Sequence, residues 1–154
     1  MLGEPLMHSE KPSVVCADVD GSLIATDLLF ESLLFAIKQD LWVVFFLPFW
    51  LMRGRAYLKQ QLAERSAGLA VDLLPVNPSV VSYLRAAAES GQRVMLTSAS
   101  DTKLVERLAD QFDFVGGVIG SDGAVNRKGR AKAQAIREVV GDVSWEYIGD
   151  SSAD

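Results

Sequence analysis

Four short apolar runs divide the chain: residues 13–17 (SVVCA), 93–97 (RVMLT), 114–119 (FVGGVI) and 145–148 (WEYI). The first ends in acidic and glycine residues, and each predicts a buried strand feeding a loop. Helical patterns lie between them. Asn77 with Pro78 supplies an N-cap and a first-turn proline; Val80, Val81, Leu84 and Ala88 form one apolar face, and Gly91 is placed to stop the helix. Ser100 or Asp101 can cap a second helix with Leu104, Leu108 and Phe112 on its apolar face, and residues 132–140 form a third. Strands alternating with helices predict an α/β fold with a parallel sheet and crossover helices.

Residues 28–74 break that rhythm. They read as helical throughout and predict a helical cap inserted into a core made of residues 13–27 and 75–154, with 1–12 as a flexible leader. The most apolar stretch of the chain, residues 41–52 (LWVVFFLPFWLM), lies in this cap. It is shorter than the roughly 20 apolar residues a bilayer span takes, and Pro48 interrupts it. Arg53, Arg55, Lys59 and Arg65 follow. Two readings stand: a cap helix buried against the core, or a surface that lies on a membrane or receives a lipid, with the cations toward headgroups.

Composition narrows the class. The 154 residues suit one core with a small insertion, and 49% hydrophobic against 23% charged residues is globular rather than disordered. A formal charge of −5 without a basic stripe argues against a nucleic-acid partner. The lone Cys16 excludes an intrachain disulfide, fits a reducing compartment and reads as a buried small hydrophobe. The lone His8 sits in a polar leader that lacks the form of a secretory signal.

The chemistry concentrates after the strands. Asp18-Val19-Asp20-Gly21-Ser22 follows the first run, and ligands of open parallel sheets gather at the carboxyl ends of strands. Two close carboxylates raise one pKa unless a cation neutralises both, and magnesium prefers such hard oxygen ligands. A calcium loop counted from Asp18 would need glycine and glutamate where Leu23 and Leu29 stand. A plain Asp-Gly turn is the competing reading. Thr97-Ser98-Ala99-Ser100 closes the second run, where hydroxyls and free N–H groups at a helix start suit a phosphate or serve as an ordinary cap. Lys132, near the start of the third helix, is placed to neutralise a carboxylate or a phosphate; Lys128 competes with it. Gly149-Asp150-Ser151-Ser152-Ala153-Asp154 follows the fourth run, with Asp150 to complete a magnesium site and Asp154 to support it.

In this order the residues resemble the haloacid dehalogenase superfamily of phosphohydrolases. DVDGS resembles its first motif, TSAS its second, Lys132 its third and GDSSAD its fourth. The resemblance implies a Rossmann-like three-layer sandwich with an inserted cap. It also implies a magnesium-dependent phosphatase acting on a small phosphorylated substrate. Asp18 would be the nucleophile, and Asp20 would protonate the leaving oxygen and then activate water. Asp18, Asp20 through its carbonyl, and Asp150 would hold Mg2+. Ser98, a backbone N–H at Ala99, and Lys132 would bind the phosphate. Asp20 favours phosphate ester hydrolysis over dehalogenation. The cap is also similar to the phosphatase-like segment found ahead of UbiA-type prenyltransferases and to caps of lipid-phosphate phosphatases. That likeness implies a lipid-like substrate, a fused membrane domain and the cytoplasmic face of a membrane. It leaves an accessory role beside a prenyltransferase, or a phosphotransferase or mutase, as alternatives. Because the superfamily's sheet continues after the fourth motif, the chain is expected to be a C-terminally truncated fragment.

Overall fold

The computed structural model describes residues 12–122 and 129–149. Four strands, β1 (Val14–Asp18), β2 (Arg93–Asp101), β3 (Val115–Ser121) and β4 (Trp145–Ile148), form one parallel sheet in the order β3-β2-β1-β4. β1 is central, with Val14–Asp18 matched to Arg93–Thr97 on one side and Val14–Ala17 to Trp145–Ile148 on the other. A strand buried on both faces is expected to be near-continuously apolar; all five residues of β1 are buried, and only the last, Asp18, is polar.

The pleat divides those residues between two cores. Val15 and Ala17, with Val94 and Leu96, pack against α4 (Pro78–Glu89) and α5 (Thr102–Ala109) through Leu84, Ala87, Leu104, Val105 and Leu108. Val14 and Cys16, with Met95 and Ile119, pack against α6 (Arg130–Val140) through Ala135 and Ile136. The result is a three-layer sandwich with helices on both faces. Cys16 is buried, and burial pushes its thiol up to about 11. The fourth run spans the predicted residues, whereas β1 extends one residue further, to Asp18, and β3 is shifted toward Ser121.

Helix ends follow local chemistry. The Asn77 side chain accepts from the Ser79 N–H at 3.1 Å, and Gly91, at φ 88°, takes the left-handed conformation that ends α4. Asp101 caps α5 by accepting from the Lys103 N–H at 3.0 Å. α5 ends at Ala109, so Phe112 lies beyond it, packed against the same core from the following turn.

Between β1 and α4 lie three helices, α1 (Leu28–Gln39), α2 (Val43–Met52) and α3 (Arg55–Arg65), then a short 3-10 turn at Val71–Leu73. Pro48 sits inside α2 without ending it. The expectation of a cap helix buried against the core is not met by α2. Only Val43 and Trp50 are buried, while Trp42, Phe45, Phe46, Phe49 and Met52 are each more than half exposed. Three helices give α2 one partner surface, yet it is apolar all round, so its outer side has nothing to pack against. Among the described residues no helix is long and apolar enough to cross a membrane.

Candidate active site

The acid loop is built by the end of β1. Val19 N–H continues the ladder to the Thr97 carbonyl at 2.9 Å, and then Gly21, at φ 78°, turns the chain. Leu23 and Ile24 N–H bond back to the Asp18 and Val19 carbonyls at 3.2 and 3.0 Å, burying both side chains under the turn. Asp18 and Asp20 are thereby held at the carboxyl edge of the sheet.

Asp18 is nearly inaccessible and forms an ion pair of 2.9 Å with the Lys132 ammonium, also buried, from the first turn of α6. Lys132 further donates to the Tyr147 hydroxyl at 3.0 Å and lies 5.6 Å from that ring's centroid. Burial pulls the Lys132 pKa down, but the hydrogen bonds to Tyr147 and Asp18 and the Asp18 charge outweigh it, so the ammonium is held above the ordinary lysine range. Two long sequence separations are bridged here: α6 crosses one face of the sheet and β4 returns beside β1, which brings Lys132 and Tyr147 to Asp18.

Asp20 is held differently. Its carboxylate accepts from the Leu28 N–H, the first residue of α1, at 2.8 Å, and from the Ser98 hydroxyl at 2.5 Å. Burial pushes its pKa up, against the lowering effect of the Leu28 and Ser98 hydrogen bonds, while Asp27 adds a smaller upward push. The cap thus begins on a bond to the acid loop. In the same loop the Ser22 hydroxyl is buried and, among the described residues, has no hydrogen-bond partner.

The hydroxyl cluster corrects the predicted boundary. Ser98, Ala99 and Ser100 do not open a helix: β2 runs through Asp101 and α5 starts at Thr102. Pairing with β3 slips between Thr97 and Asp101, and within that irregular stretch the Ser98 hydroxyl also accepts from the Ser100 N–H at 2.9 Å. Gly120 permits the tight crossing alongside, because a Cβ there would lie 2.6 Å from the Thr102 Cα. Ala99 presents its carbonyl, which accepts from the Ser121 hydroxyl at 2.8 Å and from the Lys59 ammonium of α3.

Lys59 and Tyr147 are the residues that sequence reading did not single out. Lys59 was grouped with Arg53, Arg55 and Arg65 as a cation for headgroups, but it is buried and directed at β2. Its spacing with Ala56, Leu62 and Ala63, which form the buried stripe of α3, held the available signal. Tyr147 lay in a strand run and carried none. Asp18, Asp20, Ser98 and Lys132 are brought together; Asp150, Asp154, Lys128 and His8 lie outside the described residues. Gly149 directly follows the β4 residue paired with Ala17, so the chain reaches the level of Asp18 there. The carboxylates of Asp18 and Asp20 are hard oxygen donors of the kind magnesium takes. Among the described residues, no cluster of three or more His, Cys, Asp or Glu forms a full metal cage.

No family model matches the chain. Over 147 residues it is 31% identical to an uncharacterized protein of Sinorhizobium fredii. That match takes 94% of this chain but 27% of the relative, so the chain spans about a quarter of the relative's length. Solved structures are more distant in sequence and close in shape. CbbY from Rhodobacter sphaeroides in complex with phosphate is 17% identical with a TM-score of 0.65, over 93% of this chain and 80% of that one. A HAD-family hydrolase of Salmonella enterica serovar Typhi is 12% identical with a TM-score of 0.62, over 92% and 57%. A phosphoserine phosphatase is 11% identical with a TM-score of 0.61, over 94% and 80%. With its β3-β2-β1-β4 parallel sheet and helices inserted after β1, the chain has the Rossmann-type fold of the haloacid dehalogenase-like hydrolases.

Proposed function

We propose that this domain is a magnesium-dependent phosphohydrolase that cleaves a phosphate monoester through an aspartyl-phosphate on Asp18. The observation that carries the reading is the pairing of a buried aspartate, Asp18, with a partly buried one, Asp20, in opposite surroundings. Asp18 is ion-paired with Lys132, whereas Asp20 is pushed toward its protonated form by burial. One carboxylate suited to attack and one suited to give a proton is the division of labour that covalent phosphoryl transfer needs.

Asp18 attacks phosphorus in line; the phosphorus–ester oxygen bond breaks and Asp20 gives its proton to the departing oxygen. Asp20, now a carboxylate, takes a proton from water as that water attacks phosphorus, releasing phosphate and restoring Asp18. Lys132, Ser98 and the backbone N–H of Ala99 would bind the equatorial oxygens, with the Ser98 hydroxyl giving up its bond to Asp20 to do so. Magnesium bound by the Asp18 carboxylate, the Asp20 carbonyl and Asp150 would neutralise charge on the transferring group.

The test is phosphate release from p-nitrophenyl phosphate with and without magnesium. Asp18→Asn is expected to lower the rate by about 10⁴-fold or more, on the scale of removing a covalent nucleophile. Full turnover by that variant, or no magnesium-dependent turnover on a broad panel of monoesters, would sink the reading. A second reading has one observation behind it: the chain matches 27% of a longer relative. In that reading the domain is an accessory module of a larger protein, such as a membrane-bound prenyltransferase, and apolar spans of about 20 residues in the continuation would support it.

A further inference from the structure

We infer that the groove between α1, α2 and α3 receives the aliphatic chain of an amphiphilic phosphate monoester whose phosphate sits at Asp18; the inference rests on the phosphohydrolase reading above. The groove has a volume of about 420 Å³, and every residue that lines it is leucine, valine or proline. Leu29 and Leu33 come from α1, Leu47 and Leu51 from α2, and Leu58 and Leu62 from α3. The groove opens to solvent, with Val44 and Leu51 of its wall about half exposed, so an apolar ligand lying in it would remove apolar surface from water. Its walls offer no side-chain donor or acceptor, so a sugar or amino-acid moiety would lose its hydrogen bonds there while a hydrocarbon would lose none.

The groove and the acid site share two helices. Leu29 directly follows Leu28, whose N–H holds the Asp20 carboxylate. Leu58 directly precedes Lys59, whose ammonium holds the Ala99 carbonyl beside Ser98. Adjacent Cα atoms are about 3.8 Å apart and their side chains diverge by about 100° around a helix. α1 and α3 therefore turn one face to the polar site and the neighbouring face to the groove. α2 supplies only groove wall on this side, through Leu47 and Leu51. A ligand with a charged head at Asp18 and a hydrocarbon chain leading away between these helices matches both faces.

The experiment is calorimetric titration of the 154-residue chain, with magnesium, with a series of alkylphosphonates from ethyl to decyl below their micellar concentrations. Affinity should tighten by about fourfold for each methylene buried and then level off. Inorganic phosphate should compete. Leu33→Phe and Leu47→Phe, each filling the groove from a different helix, should weaken decylphosphonate at least tenfold and leave ethylphosphonate unchanged; thermal melts check that each is folded. Phe45→Ser, on the outer side of α2, should leave both affinities as in the wild type. Equal affinity for ethyl- and decylphosphonate overturns the inference. So does a chain-length dependence that survives both filling variants and disappears in Phe45→Ser, since the chain would then lie on the exterior. If p-nitrophenyl phosphate is not hydrolysed while the chain-length dependence and phosphate competition hold, the groove stands and the phosphohydrolase reading falls.

Discussion

The sheet edge and the inserted helices solve opposite problems with opposite means. At the edge, polar and charged groups are buried or partly buried and nearly all are matched: Asp18 with Lys132, Asp20 with Ser98 and the start of α1, the Ala99 carbonyl with Ser121 and Lys59. In the inserted helices apolar groups are exposed, and α2 carries Phe45 and Met52 almost bare. Residue type thus predicts burial only where the fold supplies a surface to bury against. The sheet has two helical layers to receive its alternating side chains, and α2 has one neighbouring pair of helices for a residue set that is apolar on every side. Polar groups go inside when each finds a partner, and apolar groups stay outside when none is available.

The largest break in this comparison is expected from Lys132→Met. It leaves Asp18 as an uncompensated buried charge and should cost about 3–5 kcal/mol in urea unfolding. Added magnesium should recover part of that loss, because it supplies the missing positive charge; no loss at all would show that the ion pair does not organise the edge. Leu84→Ala, in the fully buried layer between α4 and the sheet, should cost about 2–5 kcal/mol by the same measurement.

Asp20→Asn should act in the other direction. Folding raises the Asp20 pKa, so this group's contribution to stability is full below its unfolded value and is lost as pH rises through the folded one. Without magnesium, the variant should therefore gain on the wild type as pH is raised from about 4 toward neutrality. Unfolding curves of both proteins across that interval check it, and a parallel pH dependence would contradict the burial effect. The smallest effect belongs to the outer side of α2. Phe45→Ser should change stability by no more than about 0.5 kcal/mol, and a much larger loss would mean that this side chain is covered.

Much of the core was legible along the chain because short apolar runs and their turns carry local signals. The fourth strand, the Asn77–Pro78 helix start and the burial of Cys16 need only neighbouring residues to predict. The extent of the second strand was not legible. Ser98 to Asp101 have the composition of a helix start, and only the pairing of Thr97 and Asp101 with β3 on either side of the irregular stretch keeps it within the strand. Lys59 was misplaced for a related reason. A cation after an apolar run looks like a surface residue until α3 is set over β2 and the Ala99 carbonyl faces it.

The sequence by itself determined the α/β alternation, the inserted helices and the order of an acid pair, a hydroxyl cluster and a lysine. Each of those is encoded within a few residues by periodicity, capping or turn chemistry. Only the tertiary structure decided that Lys132 is paired with Asp18 and Tyr147, that Asp20 is shared between Ser98 and the start of α1, and that α2 turns an apolar side outward. Those outcomes depend on which elements meet across the sheet edge, and residues 114 positions apart, such as Asp18 and Lys132, carry no local signal of their contact.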